Sequence, residues 1–293
     1  MKISVVINTY NEEKNLARCL ESVKGFADEI ILVDMQSTDK TVEIAKKYGA
    51  KIFYHDYTRY VEPARNFALS KATGDWILLI DADEELTESL AKRLKLVLKD
   101  SKTGYVEIPR KNIIFGKWIE HSCWWPDYLV RFFCRGKVKF SDKIHVPPVT
   151  SGKGLKLEAR EENALIHHNF QTISQFLERL NRYTDIQSEE LMKEGYRFKV
   201  EDLIFKPSNE FFSRFFAAEG YKDGVHGLAL GLLQSCSELA VVLKVWERQE
   251  FEQASIEGLA KAFQKSISEL RYWQSRSSSN FFRKIYFKIK GLI

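Results

Sequence analysis

The sequence predicts an α/β protein in which a mostly parallel sheet is flanked by helices and followed by a helical C-terminal region. Short apolar runs alternate with helical patterns along the first hundred residues, and from Thr172 onward the pattern is helical throughout. Strand–helix alternation at this spacing favours parallel strands joined by right-handed crossovers. Such sheets bind ligands at the carboxyl ends of their strands, so the residues that end each run are the first candidates for function.

Four apolar runs predict the strands, namely Ile3 to Asn8, Ile30 to Asp34, Lys51 to His55 and Trp76 to Ile80. Leu16, Leu20 and Val23 form one helical face after the first strand, with Asn11 as the predicted N-cap and Gly25 at the end. A second helix is expected from residues 36–39 to Gly49, and a third around 62–66. A fourth is expected over 86–98, capped by Thr87.

The remainder of the chain changes character twice. Residues 104–170 alternate in polarity and carry aromatics and prolines, which indicates strands and loops that complete the sheet. Phe176, Leu180 and Tyr183 then share one helix face. We therefore expect a first domain over residues 1–170, with its ligand-binding part in 1–100 and a second part in 101–170, and a helical region over 171–293.

The segment Asp81-Ala82-Asp83 places two carboxylates directly after a fully apolar run. Two acids at the end of a buried strand repel each other and favour a compensating cation. Carboxylate oxygens suit Mg²⁺ or Mn²⁺, which take phosphate oxygens as further ligands. The alternative is an acidic helix start, because Glu84 and Glu85 follow and Asp favours caps.

Composition narrows the class of protein. The 293 residues are 44% hydrophobic, which is enough for a sizeable core. The net charge is only +5, and acidic residues are interspersed with the basic ones, so nucleic-acid binding is not expected. The four cysteines lack C-x-x-C spacing, which favours reduced thiols in the cytoplasm. Met1-Lys2 leads straight into the first strand, so no signal peptide is expected. No uncharged stretch reaches the ~18–20 residues of a spanning helix, so a membrane-spanning protein is not expected either.

Four motifs occur in order along the first third of the chain: Thr9-Tyr10-Asn11-Glu12, Val33-Asp34 with Ser37-Thr38-Asp39, Ala64-Arg65-Asn66 and Asp81-Ala82-Asp83. Together they resemble the motifs of family 2 inverting glycosyltransferases, which implies the GT-A fold and a nucleotide-sugar donor. Weaker similarity to bacterial enzymes that add sugars to the lipopolysaccharide core lies in three later segments: 126–133, Ile144-His145 and 220–224.

The chain departs from the family pattern at two places. Asp34-Met35-Gln36-Ser37 stands where Asp-Asp-Gly-Ser is usual, and His145-Val146 stands where the core-sugar subgroup often has His-Glu. The second departure removes one candidate acid.

The resemblance implies a nucleotide-sugar site. Asp34 is expected to accept a uracil N–H, while Thr9 and Asn11 shape the pocket floor. Arg65 begins a helix, where the helix dipole disfavours a cation, so we expect it to contact uracil or phosphate. Asp81 is expected to reach the ribose or metal-bound water.

The same resemblance implies a bound Mg²⁺ or Mn²⁺. Asp83 is the expected direct ligand, with Asp81 beside it and His145 as the third ligand. A packed loop residue is the ordinary alternative for His145. His167 and His168 are weaker candidates, because adjacent strand residues point to opposite faces.

Inverting transfer requires a carboxylate or a histidine close to the acceptor hydroxyl. Asp127 follows Trp124-Trp125-Pro126, and aromatic side chains commonly form the walls of sugar sites. We therefore expect Asp127 to be the catalytic base, with Glu120, His121 and Asp142 as its rivals. A turn aspartate after proline is the alternative reading.

The C-terminal region carries two apolar features. Val225 to Trp246 is apolar nearly all round, so it must be buried in the protein, in the subunit interface of a homo-oligomer, or against lipid. Residues 280–293 carry an apolar stripe with Arg283, Lys284, Lys288 and Lys290 and no acid. Such a basic amphipathic pattern is typical of docking on a membrane surface, although packing on its own domain or disorder would also accommodate it.

These features predict a metal-dependent inverting glycosyltransferase that moves a sugar from a UDP-sugar to a lipid-linked glycan such as lipopolysaccharide core. Glucose is the leading candidate for the sugar. We expect a cytoplasmic protein that docks on the inner membrane through its C-terminal tail. A polyprenyl-phosphate sugar transferase using a UDP- or GDP-sugar shares every donor motif and stays open. A catalytically silent sugar-nucleotide sensor is the alternative outside the enzymes.

Overall fold

The computed structural model describes residues 1–142 and 146–276. Contacts within the chain form two compact units, Met1–Ile114 with Trp125–Asn169 and Phe115–Trp124 with Phe170–Ile293. Two predicted features, His145 and the basic tail 280–293, lie outside the described residues.

The strands are β1 (Ile3–Thr9), β2 (Glu29–Asp34), β3 (Lys51–Tyr54), β4 (Trp76–Leu79), β5 (Glu84–Glu85), β6 (Thr103–Ile114), β7 (Lys117–Trp118), β8 (Asp127–Cys134), β9 (Val138–Lys139), β10 (Val149–Thr150), β11 (Lys153–Lys156) and β12 (Leu165–His168). The helices are α1 (Leu16–Val23), α2 (Thr41–Lys47), α3 (Glu62–Ser70), α4 (Glu88–Val97), α5 (Ile173–Lys193), α6 (Asp202–Phe212), α7 (Val225–Arg248) and α8 (Leu259–Arg276).

The first unit is built on one mixed sheet with the strand order β3-β2-β1-β4-β8-β6-β12-β5. The β3-β2-β1-β4 half is parallel, β8 runs antiparallel to both β4 and β6, and β12 is parallel to β6. The short β5 then pairs antiparallel with β12. This mostly parallel sheet with flanking helices confirms the predicted α/β class and GT-A type of fold.

The core lies on both faces of the parallel half. All seven residues of β1 are buried, as expected where helices cover both faces of a sheet. Val5 and Ile7 belong to one apolar cluster with Leu16 and Leu20 of α1. Val6 points the other way, into a second cluster that contains Ala68 of α3. The predicted α1 face is therefore confirmed, and the sheet is held between two helical layers.

Two predicted helix starts are wrong by several residues. Asn11 does not cap α1, which begins at Leu16, because Asn11 adopts a left-handed backbone with φ of 54°. The α2 helix begins at Thr41, whose N–H donates to the Asp39 carboxylate at 2.9 Å. Thr87 is confirmed as the cap of α4, since its hydroxyl accepts a hydrogen bond from the Leu90 N–H at 3.2 Å.

The second unit contains α5 to α8. Phe176 is buried on α5, and Thr172 caps that helix by accepting from the Gln175 N–H at 3.1 Å. The apolar segment predicted from Val225 forms the 24-residue α7, which packs on α5 and α6. Within the described part of the chain, α7 is the one helix whose length and composition suffice to cross a membrane, and 28% of its apolar window is buried.

Candidate active site

Thr9 and Asp34 meet at the carboxyl edge of the parallel strands. They are register partners at the ends of β1 and β2, and their side chains are 2% and 1% exposed. The neighbouring strand β4 ends two residues before Asp81. Three of the predicted nucleotide-site residues therefore lie at one edge of the sheet.

Two oxygen atoms at this edge are buried without a partner. Within residues 1–142 and 146–276, neither Thr9 Oγ1 nor Asp34 Oδ1 makes a hydrogen bond. The other Asp34 oxygen, Oδ2, accepts from the Ser37 N–H at 3.0 Å. A buried carboxylate oxygen without a donor costs free energy, and a donor group placed beside Asp34 Oδ1 would remove that cost.

Asn11 shapes the loop beside Asp34. Its side-chain Oδ1 accepts from the Thr38 N–H, and its own backbone N–H donates to the Ser37 hydroxyl, both at 2.8 Å. These bonds fix the backbone of residues 37 and 38, which follow β2 directly. Asn11 thus fixes the loop that follows β2 and does not cap α1.

Arg65 lies in the first turn of α3 and is turned inward. Its Nη2 is 3.7 Å from Asp81 Oδ1, and the guanidinium stands over the Phe140 ring at 5.2 Å from the centroid. Burial lowers the pKa of Arg65, and the Asp81 carboxylate opposes that change. Its Nε is buried without a partner among the described residues, so Arg65 has a donor left for a ligand.

Asp81 is held by a second arginine that the sequence analysis did not single out. The Arg131 guanidinium, 1% exposed, forms a two-pronged ion pair with the Asp81 carboxylate. Burial alone would raise the pKa of Asp81, but Arg131 and Arg65 hold that pKa well below its usual range. Asp81 is therefore ionised and fixed in orientation.

Glu84 stabilises the turn formed by residues 81–84, called the acidic turn below. Its Oε2 accepts from the Asp81 N–H at 2.9 Å, and its Oε1 accepts from Arg131 at 3.0 Å and from Arg110 at 3.2 Å. The Glu84 side chain is fully buried. The turn from Asp81 to Glu84 is consequently rigid before any ligand binds.

Asp83 faces a histidine of β12. Its Oδ2 lies 3.4 Å from His167 Nε2, and its backbone carbonyl accepts from the His168 N–H at 2.9 Å. His168 points to the other face, where Nε2 lies 3.2 Å from Glu85. Adjacent strand residues do diverge as expected, and this geometry brings His167 to the acidic turn.

Asp127 begins β8 opposite Arg110 of β6. Its Oδ2 accepts from Arg110 Nε at 2.9 Å and Nη2 at 2.5 Å, and from the Asn112 amide at 3.2 Å. The side chain keeps 25% of its surface exposed. One carboxylate oxygen is thus anchored, and the described residues offer Oδ1 no hydrogen bond.

Two rivals of Asp127 lie in the second unit. The Asp223 carboxylate accepts from the Glu120 and His121 N–H groups at 3.3 and 2.9 Å, and His121 Nδ1 lies 3.4 Å from it. Asp223 is 4% exposed. It therefore fixes the loop that carries both rivals.

The residues missed from the sequence are Glu84, Arg110, Asn112 and Arg131. Arg131 left a signal, because a charged residue interrupts the apolar run Leu129-Val130-Arg131-Phe132 of a strand. A buried charge in such a run requires a partner. No cluster of three or more His, Cys, Asp or Glu side chains is found in the part of the chain that the structure describes.

A comparison with known protein families shows to which family this chain is related. Residues 4–154 match the model of glycosyl transferase family 2. The chain belongs to glycosyl transferase family 2. It is 30% identical over 240 residues to an uncharacterized glycosyltransferase of Rickettsia typhi, covering 76% of this chain and 82% of that protein.

Two further similarities are more distant. The lipopolysaccharide core biosynthesis glycosyltransferase LpsC of Rhizobium meliloti is 25% identical over 256 residues, which cover 85% of this chain and 93% of the relative. The crystal structure of S. aureus TarS 1-349 superposes with a TM-score of 0.44 at 16% identity, covering 87% of this chain and 94% of TarS. Family membership confirms the predicted transferase activity, so this chain is a glycosyltransferase.

Proposed function

We propose that this glycosyltransferase is metal-dependent and inverting, and that it transfers a sugar from a UDP-sugar to a lipid-linked glycan. UDP-glucose is the leading candidate for the donor. The observation that carries the donor assignment is the pair of buried, unpartnered acceptors at the sheet edge, Asp34 Oδ1 and Thr9 Oγ1. Uracil presents an imide N–H that Asp34 would accept, and Asn11 fixes the adjoining loop.

Asp83 and His167 are the described residues that would hold Mg²⁺ or Mn²⁺. Their facing atoms are 3.4 Å apart, close to the ~3 Å between adjacent ligands of an octahedral ion with ~2.1 Å bonds. A carboxylate oxygen and an imidazole nitrogen both suit Mn²⁺. The bound ion would neutralise the departing diphosphate as a Lewis acid. Asp81, paired with Arg131, is then the group beside it for the ribose or metal-bound water.

In the proposed transfer, the acceptor oxygen forms a bond to the anomeric carbon on the face opposite the diphosphate. Asp127 takes the hydroxyl proton through Oδ1, while Arg110 and Asn112 hold Oδ2. The carbon–oxygen bond to the diphosphate breaks, and UDP leaves with the electron pair. Arg65 donates its unpartnered Nε–H to the diphosphate or to the uracil ring of the donor.

The acceptor proposal rests on the similarity to LpsC, which is named for lipopolysaccharide core biosynthesis. We propose that the reaction takes place at the cytoplasmic face of the inner membrane, where a lipid-linked acceptor would lie. The basic stripe of residues 280–293 supports docking there, because its four Lys and Arg residues are accompanied by no acid.

Calorimetric titration with UDP, GDP and CDP in Mn²⁺ tests the donor assignment. We expect a preference for UDP that Asp34→Ala removes, because the imide N–H loses its acceptor. The matched control is Asp75→Ala, which removes an exposed carboxylate that accepts from the Lys2 N–H at 2.8 Å at the amino edge of the sheet. Equal affinity for the three nucleotides, or an unaffected Asp34→Ala variant, would contradict the proposal.

A further inference from the structure

Asn112 is a fully buried side-chain amide of β6 that contacts both the proposed catalytic base and a proposed metal ligand. Its Nδ2 donates to Asp127 Oδ2 at 3.2 Å, and its Oδ1 lies 2.6 Å from His167 Nδ1. Asn112 and His167 are register partners of the parallel β6–β12 pair. This pairing fixes the contact with His167, while Asp127 is the register partner of Arg110, two residues before Asn112 on β6. Asn112 thereby joins the Asp127 carboxylate to the residue that faces Asp83.

The direction of these hydrogen bonds follows from Asp127. An ionised carboxylate only accepts, so the Asn112 amide group must turn its NH₂ toward Asp127. The carbonyl Oδ1 then faces His167 and requires a proton on Nδ1. A neutral imidazole carries one proton, so Nε2 presents its lone pair. Nε2 lies 3.4 Å from Asp83 Oδ2.

Two facing acceptors repel each other unless a cation lies between them. The Nδ1–H tautomer thus leaves Nε2 ready to bind a metal without first losing a proton. If the Asn112 carbonyl were absent, the stable tautomer would be Nε2–H, because Asp83 would accept that proton. A metal ion would then have to displace it.

We propose that Asn112 is a positioning residue that selects the metal-binding tautomer of His167 and, through its NH₂ group, orients Asp127. One side chain would thereby couple the diphosphate side of the site to the acceptor side. This inference rests on the proposed function, since it takes His167 as a metal ligand and Asp127 as the base. Hydrogen bonds to ligating histidines commonly change metal affinity by about 10–100-fold.

Two variants of similar size separate the two contacts. Asn112→Leu removes both, whereas Asn112→Asp keeps an acceptor for His167 Nδ1 and places a second carboxylate against Asp127. The control is Asn163→Leu, because the Asn163 amide only donates to the Glu158 carbonyl, at 3.2 Å, away from the acidic turn. The full chain is used for each variant.

Three readouts are measured on each protein. Nitrogen–proton NMR in alkaline buffer reports the tautomer of His167, with His167→Gln identifying its signals. Titration of Mn²⁺ in the presence of UDP gives metal affinity. Release of UDP from UDP-glucose gives turnover, with water serving as the acceptor.

For Asn112→Leu, we expect the Nε2–H tautomer and Mn²⁺ affinity lower by about 10–100-fold. For Asn112→Asp, we expect the wild-type tautomer and metal affinity, with turnover about 10²-fold lower because the base is displaced. Asn163→Leu should match the wild type in all three readouts.

The inference is overturned if Asn112→Leu keeps the Nδ1–H tautomer and its Mn²⁺ affinity. Should that variant not fold, wild-type turnover in Asn112→Asp would overturn the coupling to Asp127. Failure of the proposed function has a different signature, namely wild-type protein that binds no UDP with Mn²⁺. The tautomer comparison still decides the role of Asn112 in that case.

Discussion

The turn from Asp81 to Glu84 belongs to a balanced set of charged groups that are buried or largely buried. Three acids alternate with three arginines along a continuous path of ion pairs, the acids being Asp81, Glu84 and Asp127 and the arginines Arg65, Arg110 and Arg131. Asp83 is a further acid, and its carboxylate faces the ring of His167.

Some site residues could be predicted because they follow directly from the strand pattern. Asp34, Asp81 and Asp83 end apolar runs, so their meeting at one sheet edge required only the parallel topology. His167 and Asn112 could not be placed in this way, because their meeting depends on the β6–β12 register. The register between two strands that are distant in the sequence cannot be predicted from the hydrophobic pattern of either strand. The predicted role of His145 remains a prediction.

Asp127→Asn should lower transfer by about 10²–10⁴-fold, because an amide cannot take the acceptor proton. UDP affinity should stay at the wild-type value, since the substitution preserves shape and leaves the edge at Asp34 untouched. Initial rates with a soluble acceptor analogue, together with UDP titration, measure the two effects.

Asp142→Asn is the matched control for this base assignment and should keep wild-type rates. A fall of only a few-fold in Asp127→Asn would instead direct attention to Asp142, Glu120 and His121. Loss of UDP binding in Asp127→Asn would indicate a structural role.

At the scale of elements, one carboxylate ties the amino edge of the sheet together. Glu29 at the start of β2 accepts from the Ser4 hydroxyl at 2.6 Å, from the Thr73 N–H at 2.7 Å and from Lys51 at 2.8 Å. Burial alone would raise the pKa of Glu29, but these hydrogen bonds lower it to about 2. This cluster joins β1, β2, β3 and the loop before β4.

Glu29→Gln should therefore lower the free energy of unfolding near neutral pH, by about 3 kcal/mol for a shift of this size. The folded-state pKa is depressed, so the stabilisation is present above the unfolded value of 4.5 and declines as pH falls toward 2. Urea denaturation of both proteins between neutral pH and pH 3 measures the difference.

A matched substitution is Glu43→Gln, at an exposed surface pair with Lys47 on α2. It should change stability little at any pH, since exposed pairs contribute up to about 1 kcal/mol. A difference between wild type and Glu29→Gln that does not shrink on acidification would contradict the Glu29 account.

Across the whole molecule, the hydrophobic pattern correctly predicted a helical C-terminal region and the long apolar helix α7. The α7 helix is apolar all round in sequence, yet Leu228 and Leu232 are 40% and 51% exposed in the structure. Hydrophobic pattern alone could not distinguish these positions from buried Leu230, because every face of the helix carries leucine or valine. What covers a helix depends on distant segments.

Deleting residues 280–293 should weaken binding to anionic vesicles without changing turnover of a soluble acceptor analogue. Each Lys or Arg near an anionic surface contributes roughly 1 kcal/mol, and added salt should reduce the attraction. Co-sedimentation at low and high salt compares the full and shortened chains.

A full-length variant with glutamine at Arg283, Lys284, Lys288 and Lys290 separates the charges from the apolar stripe. It should bind vesicles as weakly at low salt as the full chain does at high salt. Equal vesicle binding by all three proteins would contradict a role for the tail and leave the exposed leucines of α7 as the next surface to test.

Asp83 is the residue through which the proposed metal ion would hold the donor diphosphate. The most direct measurement is calorimetric titration of UDP into wild type and Asp83→Ala, each with and without Mn²⁺. We predict that wild type binds UDP far more tightly with Mn²⁺, and that Asp83→Ala loses this metal-dependent gain while retaining a cooperative thermal unfolding transition. Metal-dependent UDP binding that persists in Asp83→Ala would show that Asp83 does not hold the metal ion.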